Sequence, residues 1–154
     1  ADIAAFAETD MLCYRADMPE GLVERQRAVW DPSLGWAESA LGARFVLAEG
    51  VMPVAQPDTT LAAVRARLPV ADAFALTALH SMTTLTGSVL VALAVWEGRL
   101  TADEAWAAAH VDEDWNIALW GADEEAMRRR ARRETEMRAA ALLASRFRPG
   151  TGSR

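Results

Sequence analysis

Between Asp72 and Glu97 the chain carries no Asp, Glu, Lys or Arg. The run DAFALTALHSMTTLTGSVLVALAVWEG has no Pro and is rich in Ala, Leu and Met, a composition that favours helix. With Asp72 as N-cap and Gly98 as stop, it predicts one helix over 72–97, roughly 38 Å long at about 1.5 Å per residue. Leu76, Leu79, Leu90 and Leu93 mark one face, and Thr77, Ser81, Thr84 and Ser88 another. A helix neutral all round is expected to be buried all round, at the centre of its domain. The length would also suffice for a membrane span. The flanks are Asp72 and Glu97 rather than Lys or Arg, and the middle holds His80 and several hydroxyls, so a core helix is the better reading. His80 reads as a satisfied core histidine, and Gly87 as a place where a neighbouring helix comes close.

The flanking pattern is also mainly helical. DIAAFAE is helical until Thr9 and Asp10 break it, and TDMLCYRA reads as extended or irregular. Pro19 and Glu20 open a helix carrying Leu22, Val23, Gln26, Val29 and Trp30. Asp31 and Pro32 read as the cap and first turn of a new segment, with Leu34, Trp36 and Leu41, ended by Gly42. Trp30 and Trp36 read as core. RFVLAEGVMPV, residues 44–54, is the strand candidate, two apolar runs flanking Glu49–Gly50 as in a small β-hairpin, with Pro53 restricting the second. After the turn Gln56–Pro57–Asp58, a short helix carries Leu61, Val64 and Leu68 and stops at Pro69.

Beyond Gly98, Thr101 and Glu104 have capping-box spacing, and Ala108, Val111, Trp115 and Leu119 form the stripe of one helix that ends at Gly121. The last helix runs from about Asp123 to Phe147, with Glu125–Arg129, Arg130–Glu134 and Glu134–Arg138 at i,i+4 spacing. The expectation is a mainly α domain over 1–147, packed around the long central helix, with a minor β-hairpin and a disordered tail over 148–154 (RPGTGSR).

Composition narrows the class. With 154 residues, 52% hydrophobic and 25% charged, the chain fits one globular domain. A single Cys13 excludes an internal disulfide and fits a reducing compartment. No signal peptide is visible, and the helical opening without Met reads as a chain truncated at its N-terminus. Every base is Arg. Residues 123–154 carry 9 Arg and 5 acids, +4, whereas the remainder carries 7 Arg and 17 acids, −10, which together make the net −6. An acidic body argues against nucleic acid and leaves room for a partner with a basic or Arg-lined surface.

The candidate chemistry lies in HVDEDWNIALWG, residues 110–121. Asp112, Asn116 and Trp120 share a helix face, and Glu113 points about 100° away, toward His110 and Ile117. Either this is a solvated acidic face beside a core stripe, or it is a contact patch of acids around a large aromatic for a partner that supplies Arg. His110 and Asp114 are i,i+4, but no second His stands at ligand spacing, so no metal is expected. There is no nucleophile-elbow pattern and no Gly-rich phosphate loop, so neither cofactor nor small-molecule substrate is expected. The Arg run at 128–133 has acids interleaved at pairing distance and reads as a salt-laced surface.

Four blocks, TDMLCYRA, LVERQRAVWDPSLGWAESALG, ALHSMTTLTGSVLVALAV and HVDEDWNIALWG, resemble in that order the assembly chaperones of the ATP synthase catalytic head, of the ATP-twelve type. The resemblance spans about residues 9–147. It implies a stoichiometric chaperone rather than an enzyme, one that binds the unassembled alpha subunit and shields the apolar surface that later meets beta. It implies a bacterial cytoplasmic protein, or a mitochondrial matrix protein if eukaryotic. An upstream β-rich domain is implied as well, which this chain is expected to lack. The resemblance also implies a functional acid in the HVDEDWNIALWG block, best matched by Glu113 with Asp112 and Asp114 as alternatives; Asn116 and Trp120 complete the expected contact set. The competing reading is a small helical enzyme with a site near His80, His110 and neighbouring acids, which needs those groups to converge on a pocket.

Overall fold

A computed structural model describes residues 2–50 and 52–148. The order is α1 (Asp2–Ala5), a 3₁₀ turn over Met11–Cys13, β1 (Tyr14–Arg15), α2 (Glu20–Trp36), β2 (Ala48–Glu49), α3 (Asp58–Arg67), α4 (Ala73–Thr86), α5 (Val89–Trp96), α6 (Ala102–Ala109), α7 (Val111–Trp120) and α8 (Glu124–Arg146). The mainly α architecture with a minor β element matches the expectation. None of the helices in the described residues is long and apolar enough to cross a membrane.

The central stretch is two helices, not one. Asp72 caps α4 through the amides of Phe74 and Ala75, and Gly87 closes it in the left-handed region at φ 75°. Ser88 then caps α5 through the amide of Val91. The join is fastened from a distance: the Met11 amide donates to the Gly87 carbonyl, and the Leu90 amide to the Asp10 carboxylate. Gly87 is therefore a helix terminator, its positive φ costing nothing without a side chain. All of α5 is buried, whereas α4 exposes Phe74, Thr77, His80 and Thr84. His80 is thus a surface residue, not a core one. Leu79, Met82, Leu90 and Leu93 form the centre of the core with Trp30 of α2 and Met137 of α8, and Trp30 Nε1 donates to the Ala108 carbonyl, binding α2 to α6.

Three other expectations change. α2 runs through Pro32 and continues as a π turn over Ala37–Leu41 before Gly42 ends it. Pro32 is tolerated because the carbonyl it cannot pair belongs to Ala28, which is exposed to solvent. The helix expected through 101–120 breaks at His110 into α6 and α7, although the Thr101–Glu104 capping box forms. Among the described residues of 44–54 no hairpin forms: β2 pairs in parallel with β1, Tyr14 opposite Ala48. The Gln56 side chain occupies both backbone groups of Val46, accepting from its N–H and donating to its carbonyl, each at 2.8 Å, so the expected second strand has no ladder to form there.

The C-terminal end of α8 is pinned to α5. Trp96 Nε1 donates to the Phe147 carbonyl and Arg148 Nε to the Trp96 carbonyl, so Arg148, expected in the tail, is held. The rest of that expected tail, residues 149–154, lies outside the described residues.

Candidate functional site

α7 starts at His110, whose φ of −117° leaves the helical region and whose side chain gives no cap. The imidazole turns back instead, with Nδ1 2.7 Å from the Trp106 carbonyl and its ring 4.2 Å from that indole. A carbonyl only accepts, so this contact assigns the proton to Nδ1. The uncapped helix end is compensated by charge: Asp112, Glu113 and Asp114 fill the first turn, where the helix dipole favours anions.

The three carboxylates have different surroundings. Asp112 Oδ1 accepts from Gln26 Nε2 at 2.7 Å, and Gln26 Oε1 in turn accepts from the Ala16 amide, so this acid anchors α7 to α2 and to the segment after β1. Asp114 Oδ1 accepts from Arg130 Nη1 of α8 at 2.6 Å. This bond holds the Arg130 proton more firmly than usual, raising its pKa. Glu113 is loosely held: Oε2 is 3.8 Å from His110 Nε2 and Oε1 is 3.9 Å from Arg130 Nη1, both too long for a hydrogen bond. Its side chain is 42% exposed.

Packing sets where the far end of α7 points. Trp115 lies over Gly21, where a Cβ would come within 2.7 Å of its ring, so the absence of a side chain on α2 gives the indole its seat. Beyond it, Leu119 is 58% and Trp120 83% exposed. Glu113 and Trp120, expected on different faces, are seven residues apart in one unbroken helix, about two turns, and so share a face. Gly121 ends the helix with its amide on the Ile117 carbonyl.

The model of the ATP12 chaperone protein family matches residues 1–38, from α1 into the π turn that extends α2. The whole fold superimposes on the crystal structure of Atp12 from Paracoccus denitrificans, with a TM-score of 0.89 and 40% identity over 93% of this chain and 61% of that one. A variant of the same Atp12p, with Lys in place of an Asp, superimposes at 0.90, also at 40% identity, over 94% and 62%. The Atu1473 protein of Agrobacterium tumefaciens is 52% identical, with a TM-score of 0.87 over 94% of this chain and 54% of that one. The resemblance to the ATP12 chaperones holds in both sequence and fold. The chain spans between 54% and 62% of the length of these relatives.

In this ATP12-like chain, Asp112, Glu113, Asp114, Asn116 and Trp120 are all solvent-accessible on α7; what sets Glu113 apart is that Asp112 and Asp114 are engaged by Gln26 and Arg130. His80 and His110 do not share a site: His80 is exposed on α4, and His110 lines a cleft between α7 and α8. Among the described residues no group of three or more His, Cys, Asp or Glu is arranged to hold a metal ion. Sequence reasoning missed Gln26 and Arg130 as members of the site. Gln26 reads as one polar residue in a helix stripe, and its partner is 86 positions away. Arg130 has Glu134 at i+4 as the obvious partner, yet donates to Asp114 on the neighbouring helix.

Proposed function

We propose that this chain is an assembly chaperone for the ATP synthase catalytic head and that it holds the unassembled alpha subunit until beta replaces it. The observation that carries the reading is an exposed indole and leucine, Trp120 and Leu119, on the same short helix as a carboxylate that no intramolecular bond locks. An aromatic anchor beside an available charge is a combination that partner surfaces favour. The likeness to ATP12 chaperones supports an assembly chaperone with a protein partner, and the alpha subunit is the partner that the sequence resemblance implies. In this reading Glu113 meets a basic residue of the alpha subunit, and Leu119 and Trp120 cover part of its apolar surface. The chain works as a binding protein, without turnover, in the bacterial cytoplasm or the mitochondrial matrix. The test is co-purification of tagged chain with isolated, unassembled alpha subunit. A stoichiometric complex that dissociates on addition of beta is expected; failure to retain alpha under conditions where the chain is folded would overturn the reading.

A further inference from the structure

The cleft beside Glu113 has a wall of cations. Arg129, Arg130 and Arg133 lie on two adjacent turns of α8 and line a cleft of about 400 Å³, with Ala109, His110 and Glu113 on the opposite side. The three guanidiniums are not equally committed. Arg130 is only 16% exposed and is held by Asp114. Arg133 is exposed and donates from Nη2 to the Leu85 carbonyl at 3.2 Å. Arg129 is exposed and has no ion-pair partner among the described residues. Glu113 is the one acid lining the cleft, and it is loosely held. An open cleft with three cations and one anion is an unusual concentration of positive charge for a chain of net charge −6.

We propose that this cleft receives an acidic side chain of the partner, paired with Arg129 and Arg133, next to the basic one that meets Glu113. The proposal rests on the chaperone reading for the identity of the partner, and on charge complementarity for its chemistry. Guanidinium forks on adjacent turns suit a carboxylate, which each can grip through two N–H groups. The mixed signs fix register: a segment with one acid and one base fits in one orientation, and a slipped segment places like charges together. A nucleic-acid strand fits less well, because its phosphates would meet Glu113, and because Asp114 and Glu134 already act on Arg130.

The test uses the full chain with Arg129→Glu/Arg133→Glu, and with Arg129→Lys/Arg133→Lys as the charge-conserving control, each checked by thermal melt. Two readouts are taken: capture of unassembled alpha subunit, and binding of a labelled decaglutamate peptide at low salt. The reversal is expected to weaken both by about tenfold or more, with the Lys pair retaining most of each. Glu113→Gln is expected to tighten decaglutamate, because it removes the anion already in the cleft. Unchanged alpha capture by the folded reversal overturns the cleft proposal and leaves the chaperone reading standing. No alpha capture by the parent overturns the chaperone reading, and the peptide arm then decides the cleft alone: decaglutamate binding lost on reversal supports it, and binding absent or insensitive to reversal overturns it. Tighter binding of a single-stranded oligodeoxynucleotide than of decaglutamate, lost on reversal, also overturns it.

Discussion

Gln26 Nε2 donates to Asp112 Oδ1 at 2.7 Å, joining the buried face of α2 to the first turn of α7. The same amide accepts from Ala16 through its oxygen, so one buried side chain ties three separate segments together. Asp112→Ala leaves a buried donor without its acceptor, and is expected to cost about 1–3 kcal/mol. Asp112→Asn keeps an oxygen in place and should recover most of that loss. Urea melts of both variants measure it; an alanine variant as stable as the parent would show that the bond carries no stability.

Asp10 adds a pH dependence. Its carboxylate is buried at the start of α5, where it accepts from the Leu12 and Leu90 amides, and burial pushes its pKa up from 3.8 to about 6. The folded chain therefore keeps a proton that the unfolded chain has lost between those values. Asp10's contribution is largest below 3.8 and declines as pH rises toward about 6, by up to about 1.4 kcal/mol per pH unit. Other carboxylates also titrate there, so the informative quantity is the stability of the parent minus that of Asp10→Asn. It should fall between pH 4 and 6 and be flat above; a difference independent of pH contradicts the assignment.

The neutral run 72–97 makes burial legible but conceals the break. The signal for the break was present in the letters Thr86–Gly87–Ser88, a left-handed stop followed by a cap, yet such a triplet also occurs inside helices. What decides the matter is Asp10, 80 positions from the amide it accepts from, and no local pattern shows that contact. The parallel β1–β2 pair was hidden for the same reason, since its strands are distant in the chain and one neighbour of the expected hairpin is a glutamine side chain. At the site, the acidic run and Trp120 were readable from spacing. Which carboxylate is left loosely held was not, because that depends on Gln26 and Arg130 reaching across from other helices.

The two halves of the central stretch differ in burial, and substitutions should separate them. Leu79 and Leu90 are fully buried, so Leu79→Ala and Leu90→Ala should each cost about 2–5 kcal/mol. His80→Gln lies on the exposed face of α4 and should stay within about 0.5 kcal/mol of the parent. Thermal or urea melts check all three. Near-neutral leucine variants would remove α4 and α5 from the centre of the core.

His80 and His110 are on different surfaces, and the account gives neither a chemical role. His80→Gln should leave alpha-subunit protection intact. His110→Gln should also retain most of it, because its ring contacts Trp106 and lies 3.8 Å from Glu113 without bonding it. Complete loss of protection with an unchanged melt, for either variant, would restore the competing enzyme reading.

The most direct measurement is light scattering of isolated alpha subunit as it aggregates, with parent chain and with Glu113→Lys, and a thermal melt on the same preparations. Glu113 is 42% exposed and makes no short bond, so its replacement should barely move the melt; surface pairs are typically worth about 0–1 kcal/mol. At the interface a lysine sets like charge against the partner's base, which can cost several kcal/mol, so protection should be largely lost. Glu113→Gln should be milder, removing attraction without adding repulsion. A folded Glu113→Lys chain that protects the alpha subunit as well as the parent contradicts the account, and so does a Glu113→Lys chain that unfolds.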